Sequence, residues 1–172
     1  MLTLFLLRHA KSSWSNPALQ DRERPLATRG INDAPLMGKA MAERGLDPDF
    51  VLCSSARRTR DTLDLVLPEL KVEPKVVYED ALYHASPETM LQVLRGIQPG
   101  ASRVMLVGHN PEIHSLALDL VGAGPKHFRE RLMTKFPTAA LAVINFASGL
   151  WKSVTVNSGT LNLFIAPRDL RG

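Results

Sequence analysis

Three short apolar stretches of the sequence each end in residues that can bind or transfer an anionic group. The residues at these ends are Arg8 and His9, Ser54 and Arg58, and Gly108 and His109. Arginine forks match the oxygens of a phosphoryl group, and a neutral imidazole can attack phosphorus and hold it as an N-phosphoryl intermediate. Each pair alone is a weak signal, but two arginines and two histidines at one place favour the transfer of a phosphoryl group.

The stretches that carry these residues are predicted to be strands of one sheet. Leu2–Leu7, Phe50–Cys53 and Arg103–Val107 have the length and the apolar content of buried strands. In open sheets of parallel strands, chemistry lies just beyond the carboxyl ends of the strands. His9 and His109 are therefore expected to meet at one edge of the sheet, although they are distant in sequence.

Helical patterns alternate with these strands over the first two-thirds of the chain. The predicted helices span Thr28–Arg44 and Ala56–Leu67, open at Ser86-Pro87, and run from Asn110-Pro111 to Val121. Thr28 and Asn110 are expected to cap their helices, and Gly45 is expected to end the first one. Because proline in a helix interior removes a hydrogen bond, Pro35 predicts a late start or a kink in the first helix.

The remaining predicted elements complete one domain over residues 1–172. They are a strand over Val72–Val77, a short helix over Lys126–Lys135, and strands over Ala140–Phe146, Trp151–Val156 and Thr160–Ile165. Alternating strands and helices indicate a parallel sheet covered on both faces, and the closing strands indicate an antiparallel addition. The predicted fold class is a three-layer α/β/α sandwich with a mainly parallel sheet and antiparallel C-terminal strands.

The composition narrows the classes of function. Net charge is +4 and the sequence pI is about 9.5, a mild excess that favours acidic substrates without calling for nucleic acid. No apolar stretch approaches the ~20 residues that span a bilayer, and the N-terminal apolar run has no basic region before it. The single Cys53 excludes an internal disulfide. We expect a cytoplasmic protein that binds neither membranes nor nucleic acid.

Five segments, in order along nearly the whole chain, resemble the motifs of a known family. Leu7 to Lys11 resembles the Arg-His signature of the histidine phosphatase superfamily, which includes phosphoglycerate mutases and acid phosphatases. Ser54 to Thr62 and Val107 to Pro111 are similar to its Ser-x-x-x-Arg-x-x-x-Thr segment and its second histidine box. Arg24 to Gly30 and Phe136 to Thr138 resemble the branch of small phosphohistidine phosphatases of the SixA type. Each segment alone is a weak signal, but the first four along the chain, from Leu7 to Pro111, occur in the family's order and make the resemblance specific.

The resemblance implies a role for each central residue. His9 would be the nucleophile that takes the phosphoryl group, and Arg8 and Arg58 would bind its oxygens. His109 would donate to the same oxygens and stabilise the transition state. The resemblance implies no metal and no cofactor, and the sequence shows no cluster of metal ligands.

Two assignments stay open at this stage. Arg58 rather than Arg57 fits the family's spacing from Ser54, but a shift of one residue would exchange them. Arg24 matches an arginine of the SixA branch that would reach the substrate. The alternative for Arg24 is an ordinary solvated charge in a loop.

The proton donor is the main departure from the wider superfamily. Many members carry a glutamate or aspartate after the third strand that protonates the leaving group. Here Glu79 and Asp80 lie early in that region, and His84 stands near the expected place. The possible acids are therefore His84, Glu79 and Asp80, with ordinary loop charge as the alternative for the two carboxylates.

The resemblance also implies a substrate. A SixA-like protein would remove phosphoryl groups from phosphohistidine on a protein, such as a phosphotransfer domain. One alternative is a phosphatase of a small phosphoester such as a sugar phosphate. Another is a module that binds phosphate without catalysis, against which His9 and His109 argue because both are present.

Overall fold

A seven-stranded mixed sheet forms the middle layer of the structure, a computed structural model that describes residues 1–171. The strands are β1 (Leu2–Arg8), β2 (Phe50–Ser54), β3 (Lys75–Glu79), β4 (Arg103–Gly108), β5 (Val121–Ala123), β6 (Leu141–Phe146) and β7 (Gly159–Ile165). The helices are α1 (Thr28–Glu43), α2 (Arg57–Val66), α3 (Pro87–Arg95), α4 (Glu112–Leu120), α5 (Lys126–Thr134) and α6 (Pro167–Leu170). None of the described helices is long and apolar enough to cross a membrane.

The strand order β3-β2-β4-β1-β6-β7-β5 separates a parallel half from a half that contains the antiparallel pairs. β4 lies between β1 and β2, and both are parallel to it, while β6 runs antiparallel to β1 and to β7. The register pairs Leu6 with Leu106 and Arg8 with Gly108. The His9 N–H then donates to the Gly108 carbonyl at 3.1 Å. The two strands thus end level, and the residues after them become neighbours.

Helices cover both faces of the sheet, so the predicted three-layer fold is confirmed. Side chains of β1 alternate between two apolar clusters: Leu4 and Leu6 pack with the helices α3 and α4, and Phe5 and Leu7 pack with α1 and α2. A strand buried on both faces needs apolar residues at every position. The mostly apolar run before Arg8 therefore follows from the place of β1 in the centre of the sheet, and its one polar residue, Thr3, accepts a hydrogen bond from Asn145.

Helix α1 differs from its prediction at its start. It begins at Thr28 with Ala27 in the N-cap position, and Pro35 lies within it. The predicted cap at Thr28 and the late start are therefore wrong. The carbonyl that loses a partner to Pro35 belongs to Ile31, which is half exposed, so water can serve it. Gly45 has the expected left-handed backbone, with φ of 63°.

Helix α4 also begins later than predicted. Pro111 holds the N-cap position, and the helix starts at Glu112. The predicted capping role of Asn110 is wrong because its side-chain amide donates instead to the Phe136 carbonyl at 3.0 Å. That bond ties the loop after β4 to the segment after α5.

Three predictions about strands need correction. The stretch Trp151–Val156 is not a strand: it contains a single 3₁₀ turn, and the Trp151 indole donates to the Ala101 carbonyl at 2.6 Å. Trp151 and Val154 are both buried in the core, and these two side chains produced the apolar pattern there. The third strand lies at Lys75–Glu79 rather than Val72–Val77. The strand β5 was not predicted, because Gly122 suggested a break, whereas it permits close approach to the Asn157 carbonyl.

Candidate active site

Four of the predicted residues converge at the carboxyl ends of β1, β2 and β4. Arg8 ends β1 and His9 follows it, His109 follows β4, and Arg58 lies in the first turn of α2. The centroids of the two imidazole rings are 5.4 Å apart. His9, His109 and Arg58 are each no more than 7% exposed. The structure therefore gathers two imidazoles and two guanidiniums in a buried cluster.

His9 is held as a neutral imidazole with one nitrogen unused. Its Nδ1 lies 2.7 Å from the Ala10 carbonyl, which only accepts, so the proton is on Nδ1 and the lone pair on Nε2. Burial, together with the positive charges of Arg8 and Arg58, lowers the pKa of His9 to about 3, against a smaller opposing effect of the Ala10 bond. The imidazole is thus a neutral nucleophile at physiological pH.

His109 is oriented by a serine. Its Nε2 lies 2.7 Å from the Ser54 hydroxyl, and its Nδ1 is buried with no partner among residues 1–171. Burial, followed by the nearby His9 and Arg58, lowers the pKa of His109 to about 3. If the Ser54 hydroxyl donates to Nε2, the proton is on Nδ1, where it can be given to an anion.

The two guanidiniums are fixed by carbonyl groups. Arg8 donates from Nη1 to the Phe136 carbonyl at 2.9 Å, and Arg58 donates from Nη1 to the Asp21 carbonyl at 2.9 Å. In both, the buried Nε–H has no partner within the described chain. Buried donors without a partner cost free energy, and an anion in the site would satisfy them.

Asp21 forms a hub that the sequence did not indicate. Its carboxylate accepts from the Tyr83 hydroxyl at 2.6 Å and from Arg58 Nη2 at 3.1 Å, and it lies 3.3 Å from Arg24 Nε. The Tyr83 bond, followed by the nearby arginine charges, keeps the pKa of Asp21 below its ordinary value. The edge of the Tyr83 ring packs on the His109 ring, with centroids 5.6 Å apart. Asp21 thus holds two arginines and one wall of the site.

The two open arginine assignments have distinct surroundings. Arg24 is 7% exposed, donates to the Ser12 hydroxyl at 2.9 Å and lies under the Trp14 ring, so it is not a solvated loop charge. Arg57 is half exposed and pairs with Asp61 along α2 at 3.4 Å. Arg58, not Arg57, is the guanidinium beside the histidines.

The three possible acids lie in different places. Glu79 lines a separate groove on the α3 side of the sheet. Asp80 pairs with Arg22 at 2.6 Å, and the bonds from Ser55 and Arg22 keep its pKa low, so it stays ionised. His84 has a left-handed backbone, with φ of 56°, and stacks on the Tyr83 ring at 4.1 Å. Of the three, only His84 is linked to His109 through an intervening ring.

No group of three or more histidine, cysteine, aspartate or glutamate side chains within residues 1–171 has a geometry that could hold a metal ion. His114 bonds through Nε2 to the Leu132 carbonyl, and His127 is exposed and stacks on Phe128. Neither His114 nor His127 therefore belongs to the pair of imidazoles formed by His9 and His109. The positive charges beside the two imidazoles are those of Arg8, Arg58 and Arg24.

We expect Ser54→Ala to lower kcat by about 10- to 100-fold. The substitution removes the bond that fixes the ring of His109, so its N–H is no longer held toward the phosphoryl oxygens, and a positioned donor to the transition state contributes about 10²- to 10³-fold to kcat. Steady-state kinetics on any substrate of the enzyme would measure this. The control is Ser55→Ala, whose hydroxyl bonds to Asp80 at the rim and should leave kcat within about twofold. Equal effects of the two substitutions would contradict the orienting role of Ser54.

The low pKa values of His9 and His109 also predict how stability depends on pH. In the unfolded chain each imidazole takes up a proton near pH 6.5, whereas in the folded protein burial lowers the pKa of each ring to about 3. The free energy of unfolding should fall as pH decreases from 6.5 toward 3, by up to about 1.4 kcal/mol per pH unit for each ring. Urea unfolding at several pH values should show a shallower fall in His9→Gln than in wild type. The control His127→Gln, at an exposed position, should leave the decrease in the free energy of unfolding with falling pH the same as in wild type.

Comparison with known proteins identifies the class of protein. The profile of the histidine phosphatase superfamily (branch 1) matches residues 4–83, which include His9 and Arg58. An uncharacterized protein of Mycobacterium leprae (strain TN) is 36% identical over 166 residues, covering 94% of this chain and all of the relative. The chain belongs to the histidine phosphatase superfamily, as its motifs predicted.

Within the superfamily, solved structures of SixA share the fold of this chain. A proposed phosphohistidine phosphatase SixA from Agrobacterium tumefaciens superposes with a TM-score of 0.82 at 31% identity, covering 96% of this chain and 98% of that one. A second one, from Nakamurella multipartitia, gives a TM-score of 0.82 at 30% identity, with 96% of each chain covered. The resemblance to the SixA branch is thus confirmed in sequence and in fold.

Proposed function

We propose that this protein is a phosphatase that removes phosphoryl groups from phosphohistidine on a protein through a phosphorylated His9. The observation that carries the proposal is the buried, neutral His9, whose Nε2 is unused beside His109 and two arginines with unsatisfied N–H groups. Such a site binds an anion and attacks it. Membership of a phosphatase superfamily agrees with this chemistry.

The reaction has two steps in which the phosphoryl group changes partner. First, the lone pair of His9 Nε2 forms a bond to phosphorus while the bond from phosphorus to the substrate's imidazole nitrogen breaks. The substrate imidazole keeps that electron pair and leaves neutral, because its other nitrogen was protonated beforehand. Arg8, Arg58 and the N–H of His109 stabilise the charge on the phosphoryl oxygens. Second, the oxygen of a water molecule forms a bond to phosphorus while the bond from phosphorus to His9 Nε2 breaks. The electron pair returns to Nε2, both protons of the water leave with inorganic phosphate, and neutral His9 is restored.

Two observations support phosphohistidine as the substrate. Glu79 lies in another groove and Asp80 is held ionised, so neither is arranged as a proton donor. Of the leaving groups considered, the imidazole of phosphohistidine has less need of such a donor than the alkoxide of a phosphoester. The chain is also similar over 96% of its length to a proposed phosphohistidine phosphatase.

A comparison of substrates tests the proposal. Turnover of a phosphotransfer domain phosphorylated on histidine would be measured beside a panel of small phosphoesters, including a sugar phosphate. We expect kcat/KM for the phosphorylated domain to exceed that for every small ester by at least about a hundredfold. A sugar phosphate turned over more efficiently than the domain would overturn the proposed substrate. Absence of turnover on the whole panel would indicate a binding module.

A further inference from the structure

A basic groove opens beside the paired histidines, and of its basic side chains the reaction proposed above uses only Arg8. The groove has a volume of about 390 Å³ and reaches from the end of β1 to the segment after α5. Its lining includes the basic side chains Arg8, Lys11, Arg29 and Lys135, and no aspartate or glutamate among the described residues. Because Arg8 belongs to both, the groove is continuous with the phosphoryl site.

The fold holds the walls of the basic groove at fixed positions. The Ala27 N–H donates to the Lys11 carbonyl at 2.8 Å, and a Cβ on Gly30 would lie only 2.3 Å from that oxygen. The backbone of Lys11 therefore rests on the first turn of α1, beside Arg29. On the other wall, the carbonyl of Phe136, next to Lys135, accepts from Arg8.

The positive charge of the basic groove is not neutralised within the chain. Lys11 and Lys135 are exposed and take part in none of the ion pairs of residues 1–171. Arg29 lies 3.5 Å from the Asp33 carboxylate, but Arg171 binds the same carboxylate. Two arginines thus share one negative charge, so a net positive charge remains.

The opposite rim of the site is built differently. There Arg22 pairs with Asp80 at 2.6 Å, and the Asp21 carboxylate pairs with both Arg24 and Arg58. On that rim two carboxylates compensate two of the three cations, whereas the two lysines of the basic groove have no acidic partner within the described chain. The field around the site is therefore stronger on the side of the groove. Such an uneven field orients a charged partner as it approaches and raises its rate of association.

We propose that the basic groove is a second anion subsite that binds aspartate or glutamate side chains next to the phosphohistidine of the partner protein. This proposal rests on the proposed function. The reaction proposed above gives Lys11 and Lys135 no role, whereas a carboxylate beside the phosphohistidine would pair with them. The groove thereby selects partners whose phosphorylated histidine lies in an acidic surface.

The test compares two double variants that lose the same charge. Lys11→Gln with Lys135→Gln removes two cations of the basic groove. Lys39→Gln with Lys71→Gln removes two exposed lysines that do not line it. For each, kcat/KM is measured at low and at high salt on a phosphohistidine-bearing phosphotransfer domain with acidic surface residues, and on phosphoramidate, which carries no second anionic group.

We expect the groove variant to lose about tenfold in kcat/KM on the domain at low salt, mainly through KM, and the loss to shrink at high salt. Turnover of phosphoramidate should stay at the wild-type level, and the control variant should match wild type on both substrates. An equal loss on phosphoramidate, or no loss on the domain, would overturn the subsite. Wild-type enzyme inactive on the domain would refute the proposed function rather than the subsite alone.

Discussion

Replacement of His9 by alanine is expected to lower turnover by more than about 10³-fold while leaving the fold intact. The nucleophile is removed outright, and the remaining arginines and His109 can only bind the phosphoryl group. The side-chain hydrogen bond of His9 goes only to the carbonyl of its neighbour Ala10, so its loss breaks no long-range hydrogen bond. Turnover of a phosphohistidine substrate and the circular dichroism of the variant would be measured together.

A trapping experiment separates loss of the nucleophile from loss of binding. Wild-type enzyme quenched during turnover of labelled substrate should carry a phosphoryl group that is labile in acid and stable in alkali, as a bond from phosphorus to imidazole requires. Peptide mapping should place the label on His9, and His9→Ala should carry none. Alanine at the exposed His127 is the control and should leave both label and rate unchanged. A His9→Ala variant with a near-normal rate would refute the mechanism.

The parallel half of the fold could be predicted because its signals are local. A mostly apolar run such as Leu2–Leu7 occurs where a strand is buried on both faces, and the structure places β1 between two apolar clusters. The C-terminal part was harder because burial there comes from tertiary contacts. Trp151 is buried although it lies in a turn, and its indole donates to the Ala101 carbonyl. In the sequence, a residue buried in this way cannot be distinguished from an apolar residue of a strand.

The site shows the same division between local and long-range information. His9, Arg8 and His109 could be predicted because strand ends in a parallel sheet share one edge. Asp21 and Tyr83 could not, since their bond joins two loops whose separation in space depends on the whole fold. The position of Asp21 three residues before Arg24 was the one local signal, and it became informative only once Arg24 proved to be buried.

The second large effect concerns the leaving group. Cleavage of an alkyl phosphate expels an alkoxide, which needs a proton in the transition state, and a positioned donor contributes about 10²- to 10⁴-fold to the rate. Phosphohistidine expels an imidazole that can be protonated beforehand, so a site without a carboxylic acid loses little on it. Glu79 faces another groove, and Asp80 is held ionised by Ser55 and Arg22. We therefore expect this enzyme to have no carboxylic acid as proton donor and to cleave phosphohistidine faster than alkyl phosphates.

Kinetics on a series of phosphates would measure the effect. We expect kcat/KM on alkyl phosphates to lie at least about 10²-fold below that on phosphohistidine, and the rate on aryl phosphates to rise as the phenol becomes more acidic. Glu79→Gln and Asp80→Asn should each change phosphohistidine turnover by less than about tenfold. His84→Gln is the informative third variant, because the His84 ring reaches His109 through Tyr83. If His84 acts as the donor, His84→Gln should slow aryl phosphates with basic leaving groups more than those with acidic ones. A thousandfold loss on phosphohistidine in either carboxylate variant would show that a carboxylic acid takes part, and would remove the main physical support for phosphohistidine over a small ester.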